Sequence, residues 1–221
     1  MPVFSGVNRG SRWVVGAGIH ACWLGTYERE KLRLVASFVR PGMTIFDVGA
    51  HAGYYTLAFA RLVGSQGKVV AFEPNQVNLS NLRKHIEINR LKNVEVVAAA
   101  VSDHAGTVRF AAGNPVHTGE HHYVGKVADE GIEVPSVRLD DFGSPDLIKM
   151  DIEGGEGLAM IGALRILAEE KARIFVALHG VSDEQCLSEL RRHGYEFTYI
   201  GHDEIHAWPT GTSEHAAAQS D

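Results

Sequence analysis

The stretch Thr44-Ile-Phe-Asp-Val-Gly-Ala-His-Ala-Gly-Tyr-Tyr-Thr-Leu-Ala-Phe-Ala-Arg-Leu-Val63 constrains the chain more than any other. Ile45 to Val48 is a short apolar run rich in β-branched and aromatic residues. Tyr54 to Val63 carries apolar residues at helical spacing. Between them lies the small-residue turn Gly49-Ala-His-Ala-Gly53. Strand, glycine turn and helix together form the ligand-facing corner of a βαβ unit. A second strand, Lys68-Val-Val-Ala-Phe72, ends in Glu73, twenty residues after Gly53. A carboxylate at that place can accept ribose hydroxyls, so a nucleoside-containing ligand is expected across the first two strands.

The turn narrows the ligand. A dinucleotide fingerprint has a second glycine where the backbone approaches a pyrophosphate, and His51 stands there instead. Asp47, at the strand end, would repel a pyrophosphate but suits a ligand with an ammonium group. S-adenosylmethionine has a ribose, an amino-acid end and no phosphate. An NAD-dependent oxidoreductase would share the fold but lacks its fingerprint here. A non-catalytic cofactor-binding module is a third reading. An amino-methyltransferase acting on nucleic acid would carry an Asn/Asp-Pro-Pro-aromatic motif after the fourth strand, and Asp151-Ile-Glu-Gly is not that.

The chain has 221 residues, enough for one α/β domain with a substantial core. Its net charge of -6 gives no basic field for nucleic acid. Cys22 and Cys186 give no disulfide framework or metal cluster, and both are expected to be buried thiols of a reducing compartment, consistent with a cytoplasmic protein. No apolar run reaches membrane-spanning length. Arg9 and Arg12 before Trp13 to Leu24 loosely mimic a signal peptide, but His20 and the glycines interrupt the run. A flap over the cofactor, or part of the substrate wall, fits that segment better.

The chain alternates strands and helices. Thr26 can cap a helix with Glu28 and Glu30 in its first turn and an apolar stripe of Leu32, Val35 and Val39, stopped by Pro41-Gly42. Asn75 can cap a long helix that turns Leu79, Leu82 and Ile86 inward. Val94 to Val101 reads as one buried strand. The repeat of β and α predicts a doubly wound, mostly parallel sheet with helices on both faces. From Gly106 to Phe142 the rhythm breaks. Thr107–Phe110 and Ile132–Val137 read as strands around a polar loop, in which His117, His121 and His122 are solvated residues rather than metal ligands.

Leu147 to Ile152 is the fourth strand, with Asp151 at its end and Glu153 and Glu156 after it. Three carboxylates at one strand terminus call for a cation: the cofactor's sulfonium and ammonium, or a divalent metal. Glu156 also suits a helix start. Arg173 to Leu178 is the fifth strand, and sheet alignment puts His179 beside Asp151. Asp183 caps the helix after it. Tyr195–Ile200 and Glu204–Trp208 read as a closing antiparallel hairpin, and residues 209–221 as a disordered tail.

The segments LGTYE, PGMTIFDVGAHAGYYTLAFA, VVAFEPN, AVSD, LIKMDIEGGEGLAMIGA and ALHG resemble the FkbM family of S-adenosylmethionine-dependent methyltransferases, in a match that covers roughly Leu24 to Gly201. The resemblance implies the Rossmann-like class I methyltransferase fold: seven strands, the last antiparallel. It also implies O-methylation of a hydroxyl on a small molecule or sugar. Two residues depart from the family: His51 stands where Asn is common, and Ala177 where an acid is common. The domain plan is a flap and helix over 1–43, the methyltransferase domain over 44–208, and the tail.

The resulting site has Asp47, Gly49, Ala50, His51, Gly53, Tyr55, Glu73, Pro74, Val101, Ser102 and Asp151 around S-adenosylmethionine. Glu73 holds the ribose, and Val101-Ser102 borders the adenine. His179 is the first choice as base, its unperturbed pKa lying near working pH. Asp151 orients it or holds the cofactor amine, and Glu153 stands beside them. No obligatory metal is expected.

Overall fold

Every residue of the strand Thr44–Val48 after the first is buried, as coverage of a parallel sheet on both faces requires. In the computed structural model of this protein, residues 1–112, 125–127, 131–180 and 182–212 are described. In chain order come α1 (His20–Leu24), α2 (Arg29–Ser37), β1 (Thr44–Val48), α3 (Tyr54–Val63), β2 (Lys68–Phe72), α4 (Gln76–Ile88), β3 (Val94–Val97), β4 (Ala100–Val101) and β5 (Gly106–Ala112). Then follow β6 (Gly125–Val127), β7 (Ile132–Val137), β8 (Leu147–Met150), α5 (Glu156–Ile161), α6 (Leu164–Ala168), β9 (Arg173–Ala177), α7 (Asp183–Arg192), β10 (Tyr195–Tyr199) and β11 (Glu204–Pro209).

Seven strands form one sheet in the order β10-β11-β9-β8-β1-β2-β3. Pairing is parallel from β9 through β3, and β11 alone runs against its neighbours. The doubly wound sheet and its closing hairpin are therefore present as expected. The strand period of two sorts the core into two faces. Phe46, Val48, Ile148 and Met150 pack with Met160, Ile166, Leu167 and Leu190 of α5, α6 and α7. Ile45, Leu147 and Phe175 pack on the other face with Leu32, Val35, Leu57 and Phe59 of α2 and α3. By the same alternation Asp47 and Lys149, which are partners in the β1–β8 register, point to the α2/α3 face.

Three local expectations change. The run from Val94 to Val101 is not one strand: β3 ends at Val97, and Ala100–Val101 joins a second sheet, β4-β7-β5-β6, through Ser136 and Val137. Thr26 does not cap α2; Glu28 precedes it in left-handed conformation (φ 40°) with no side-chain cap. Ser182, not Asp183, precedes α7, and the Asp183 carboxylate accepts from Gly180 N (2.9 Å) instead. Asn75 does cap α4, accepting from Val77 N and Asn78 N. Neither cysteine forms a disulfide, and both are buried. The histidines at 117, 121 and 122 and residues 213–221 lie outside the described residues. Among the described residues, no helix is long and apolar enough to cross a membrane.

Candidate functional site

The sheet order reverses direction between β1 and β8, and open α/β sheets bind ligands at that point, beyond the carboxyl ends of the strands. A cavity of about 300 Å³ opens there. The turn after β1 forms its floor. Gly49 has φ 80°, and a Cβ on it would meet the Asp151 carbonyl oxygen at 1.9 Å. Glycine is therefore required by both backbone conformation and space. Gly49 N and Ala50 N both donate to Phe72 O, tying the turn to the end of β2. Gly53 (φ 91°) opens α3 against Leu82.

Glu73 is buried at the end of β2 and lines the cavity. Its Oε2 accepts from His51 N (2.8 Å), and its Oε1 from Asn75 N (2.8 Å) and Asn78 Nδ2 (3.3 Å). A carboxylate has about four lone-pair positions, so one remains for a ligand hydroxyl. Burial, partly offset by those donors, raises the Glu73 pKa to about 6. His51 takes a left-handed backbone (φ 52°) to deliver its N–H. Ala100 and Val101 of β4 and Phe110 of β5 close this side with Phe72. The second sheet therefore supplies an apolar wall next to Glu73.

The opposite end of the cavity is charged. Lys149 and Asp151 both line it, 3.6 Å apart. Burial alone would lower the Lys149 pKa, but Asp151, Asp47 and Glu28 outweigh it and hold the ammonium above its ordinary range. For Asp151, burial acts upward, and Lys149, Lys31 and His179 together hold the carboxyl below its usual range. Tyr55 lies under Lys149, 4.8 Å from ring centroid to ammonium, and donates to Glu28 Oε2 at 2.8 Å.

Glu156 is the centre of the loop after β8. It has no solvent exposure. Its Oε1 accepts from Gly154 N (3.2 Å) and lies 2.8 Å from His179 Nδ1. Against a carboxylate, Nδ1 is the donor, which leaves Nε2 facing Asp151 Oδ1 and Glu153 Oε2, each at 3.6 Å. The hydrogen bond to Glu156, partly offset by burial, raises the His179 pKa to about 8. Glu153, like His51, holds a left-handed backbone (φ 59°). Oxygen and nitrogen atoms of Asp151, Glu153 and His179 lie within 4.8 Å of one another, a spacing that could hold a cation.

The N-terminal segment covers the cavity. Trp13, Ala17, Gly18, Ile19, Cys22 and Tyr27 line it. Trp13 is stacked on His85 at 3.9 Å, and Val14 N donates to His85 Nε2. Burial depresses the His85 pKa to about 4, so the ring stays neutral and can accept that bond.

Of the site residues expected from sequence, Gly49, Ala50, His51, Tyr55, Glu73, Pro74, Val101, Asp151 and Glu153 line the cavity. Asp47, Gly53, Ser102 and His179 do not. Asp47 is fully buried and accepts from Thr56 Oγ1 (2.5 Å); burial raises its pKa, with Lys149 and the Thr56 hydrogen bond acting in opposition. Ser102 donates its N–H to Val137 O and its hydroxyl to Asp103. Sequence reasoning missed Lys149, Tyr27, Glu28 and the role of Glu156. A lysine inside the apolar strand Leu-Ile-Lys-Met was the available signal for the first.

The Methyltransferase FkbM domain profile matches residues 47–197. The 31-O-demethyl-FK506 methyltransferase FkbM of Streptomyces tacrolimicus is 31% identical over 164 residues, covering 66% of this chain and 62% of that one. Among solved structures, the methyltransferase FkbM of Methylobacillus flagellatus superposes with TM-score 0.55 at 19% identity, over 83% of this chain and 51% of that one. An S-adenosylmethionine-dependent O-methyltransferase of Thermotoga maritima gives TM-score 0.54 at 16% identity, over 84% and 66%. These two show the fold alone. The chain spans less than two thirds of the length of the curated relatives it matches, 30% to 62%. With two thirds of its length under one profile, this chain belongs to the FkbM family of methyltransferases.

Proposed function

We propose that this protein methylates a hydroxyl of a small molecule or sugar by direct transfer from S-adenosylmethionine. The residues fit that donor. One free lone-pair position on Glu73 suits a ribose hydroxyl. The apolar wall of Phe72, Val101 and Phe110 suits an adenine, and the charged end suits an amino acid. A cavity of about 300 Å³ is at the small end of the range for one ligand. The donor fills it, and the acceptor enters where Asp151 and Glu153 are part-exposed.

The bound donor supplies an already activated methyl on its sulfonium. The chain supplies alignment and proton removal. Asp151 holds the donor's ammonium. The buried Glu156 carboxylate keeps the Nδ1–H of His179 toward itself, and Nε2 takes the proton of the acceptor hydroxyl as the new bond forms. The observation that carries this reading is the Glu156–His179 pair, with its free nitrogen turned to the two acids at the cavity edge. The net charge of -6 supports an acceptor other than nucleic acid, and two buried cysteines outside any disulfide support a reducing, cytoplasmic setting.

The test is formation of S-adenosylhomocysteine with a panel of hydroxyl acceptors. Transfer that is lost in His179→Ala supports the reading. Donor binding with no transfer across the panel favours a cofactor-binding module.

A further inference from the structure

We infer that Lys149 recognises the carboxylate of the methyl donor's amino-acid end, forming with Asp151 a two-point subsite for that zwitterion. The inference rests on the donor reading above.

Lys149 lies in the central strand β8, and its side chain is 6% exposed. A buried ammonium is costly unless it is closely paired. Its ion pair with Asp151 is loose: 3.6 Å, against about 2.7–2.9 Å for a charge-assisted hydrogen bond. Among the described residues Asp151 is the one ion-pair partner of Lys149. Asp47 accepts from Thr56 through one oxygen while its other oxygen has no hydrogen-bond partner, and Glu28 accepts from Tyr55 and pairs with Lys31. Thus Lys149 has donors left, and it lines the cavity.

Charge then selects the ligand group. The acids on the cavity wall are Glu28, Glu73, Asp151 and Glu153, and Lys149 is the one lysine or arginine on it among the described residues. The donor carries one anionic group, its carboxylate, beside its ammonium. A carboxylate and an ammonium 3.6 Å apart on the wall match that pair with opposite signs. Topology agrees. Glu73 ends β2, the Gly49 turn ends β1 and Asp151 follows β8, and these strands are neighbours in that order. A ligand with its ribose at Glu73 crosses the turn and brings its amino-acid end to Lys149.

The test is calorimetric binding of S-adenosylmethionine and of decarboxylated S-adenosylmethionine, which keeps the ammonium and sulfonium. The parent should bind the first roughly 10- to 100-fold more tightly, the range for a hydrogen bond to a charged group. In Lys149→Met the ratio should fall to about threefold or less, while affinity for the decarboxylated ligand is retained. Equal affinities in the parent, or a ratio that survives in Lys149→Met, would overturn the inference. Should the variant not fold, the parent ratio and Lys149→Gln decide it. A parent that binds neither ligand would refute the donor reading itself, a distinguishable result.

Discussion

Nδ1 of His179 lies 2.8 Å from a carboxylate oxygen of Glu156 that is wholly shielded from solvent. One residue begins α5 and the other follows β9, so the parallel pairing of β8 with β9 brings them together. The pair fixes which ring nitrogen is free. It also sets the imidazole's basicity, and several outcomes follow.

Glu156→Gln should keep a hydrogen-bond acceptor for Nδ1 but remove its charge. The His179 pKa, now about 8, should move down toward its ordinary value of 6.5. NMR titration of the imidazole would measure this directly. The midpoint of kcat/KM against pH should shift the same way. A midpoint unmoved in the variant means that Glu156 does not tune the ring.

His179→Ala should reduce methyl transfer by roughly 10²–10⁴-fold with donor affinity little changed. In the parent, kcat/KM should rise with pH through about 8, because only the neutral ring accepts a proton. Stability runs the other way. The folded pKa lies above the unfolded value, so this contribution is full below about pH 6.5 and is lost as pH rises through 8. Near-parental turnover of folded His179→Ala would remove it as the base.

Glu73→Ala should weaken donor binding by about 1–3 kcal/mol, read by calorimetry. Affinity in the parent should rise with pH through about 6, as the buried carboxyl ionises and becomes a full acceptor. A flat profile would separate Glu73 from the ribose.

Gly49→Ala forces a Cβ into the Asp151 carbonyl oxygen and a side chain into left-handed backbone. The backbone strain alone costs about 1–3 kcal/mol. Thermal denaturation should show at least that loss, together with weakened donor binding. A parental melting temperature would contradict the close approach.

Transfer should survive EDTA. Protonated His179 already places positive charge between Asp151 and Glu153, so the three need no added cation to be stable. Activity lost on chelation and restored by magnesium would assign them to a metal instead.

Much of this was legible in sequence where the signal is local. The Gly49 turn, the Asn75 cap and Glu73 each depend on a few neighbouring residues, and all three are placed as read. The expected meeting of His179 and Asp151 needed only the alignment of parallel strands. Asp47 shows what spacing alone conceals: closeness to the turn suggested a cavity residue, but the strand period turns its side chain to the α2/α3 face beside Lys149. The break after Val97 depends on pairing with Ser136 and Val137, about forty residues on, which no local pattern announces. Trp13, Tyr27 and Glu28 reach the cavity only through tertiary packing of the N-terminal segment.

The most direct measurement is thermal unfolding of the parent with S-adenosylmethionine and, separately, with NAD. At a hundredfold excess over its Kd, a ligand that binds only the folded chain stabilises it by about 2.7 kcal/mol, a rise of roughly 5–10 °C for a domain of this size. The account predicts that rise with S-adenosylmethionine and none with NAD. A rise with NAD and none with S-adenosylmethionine would contradict it.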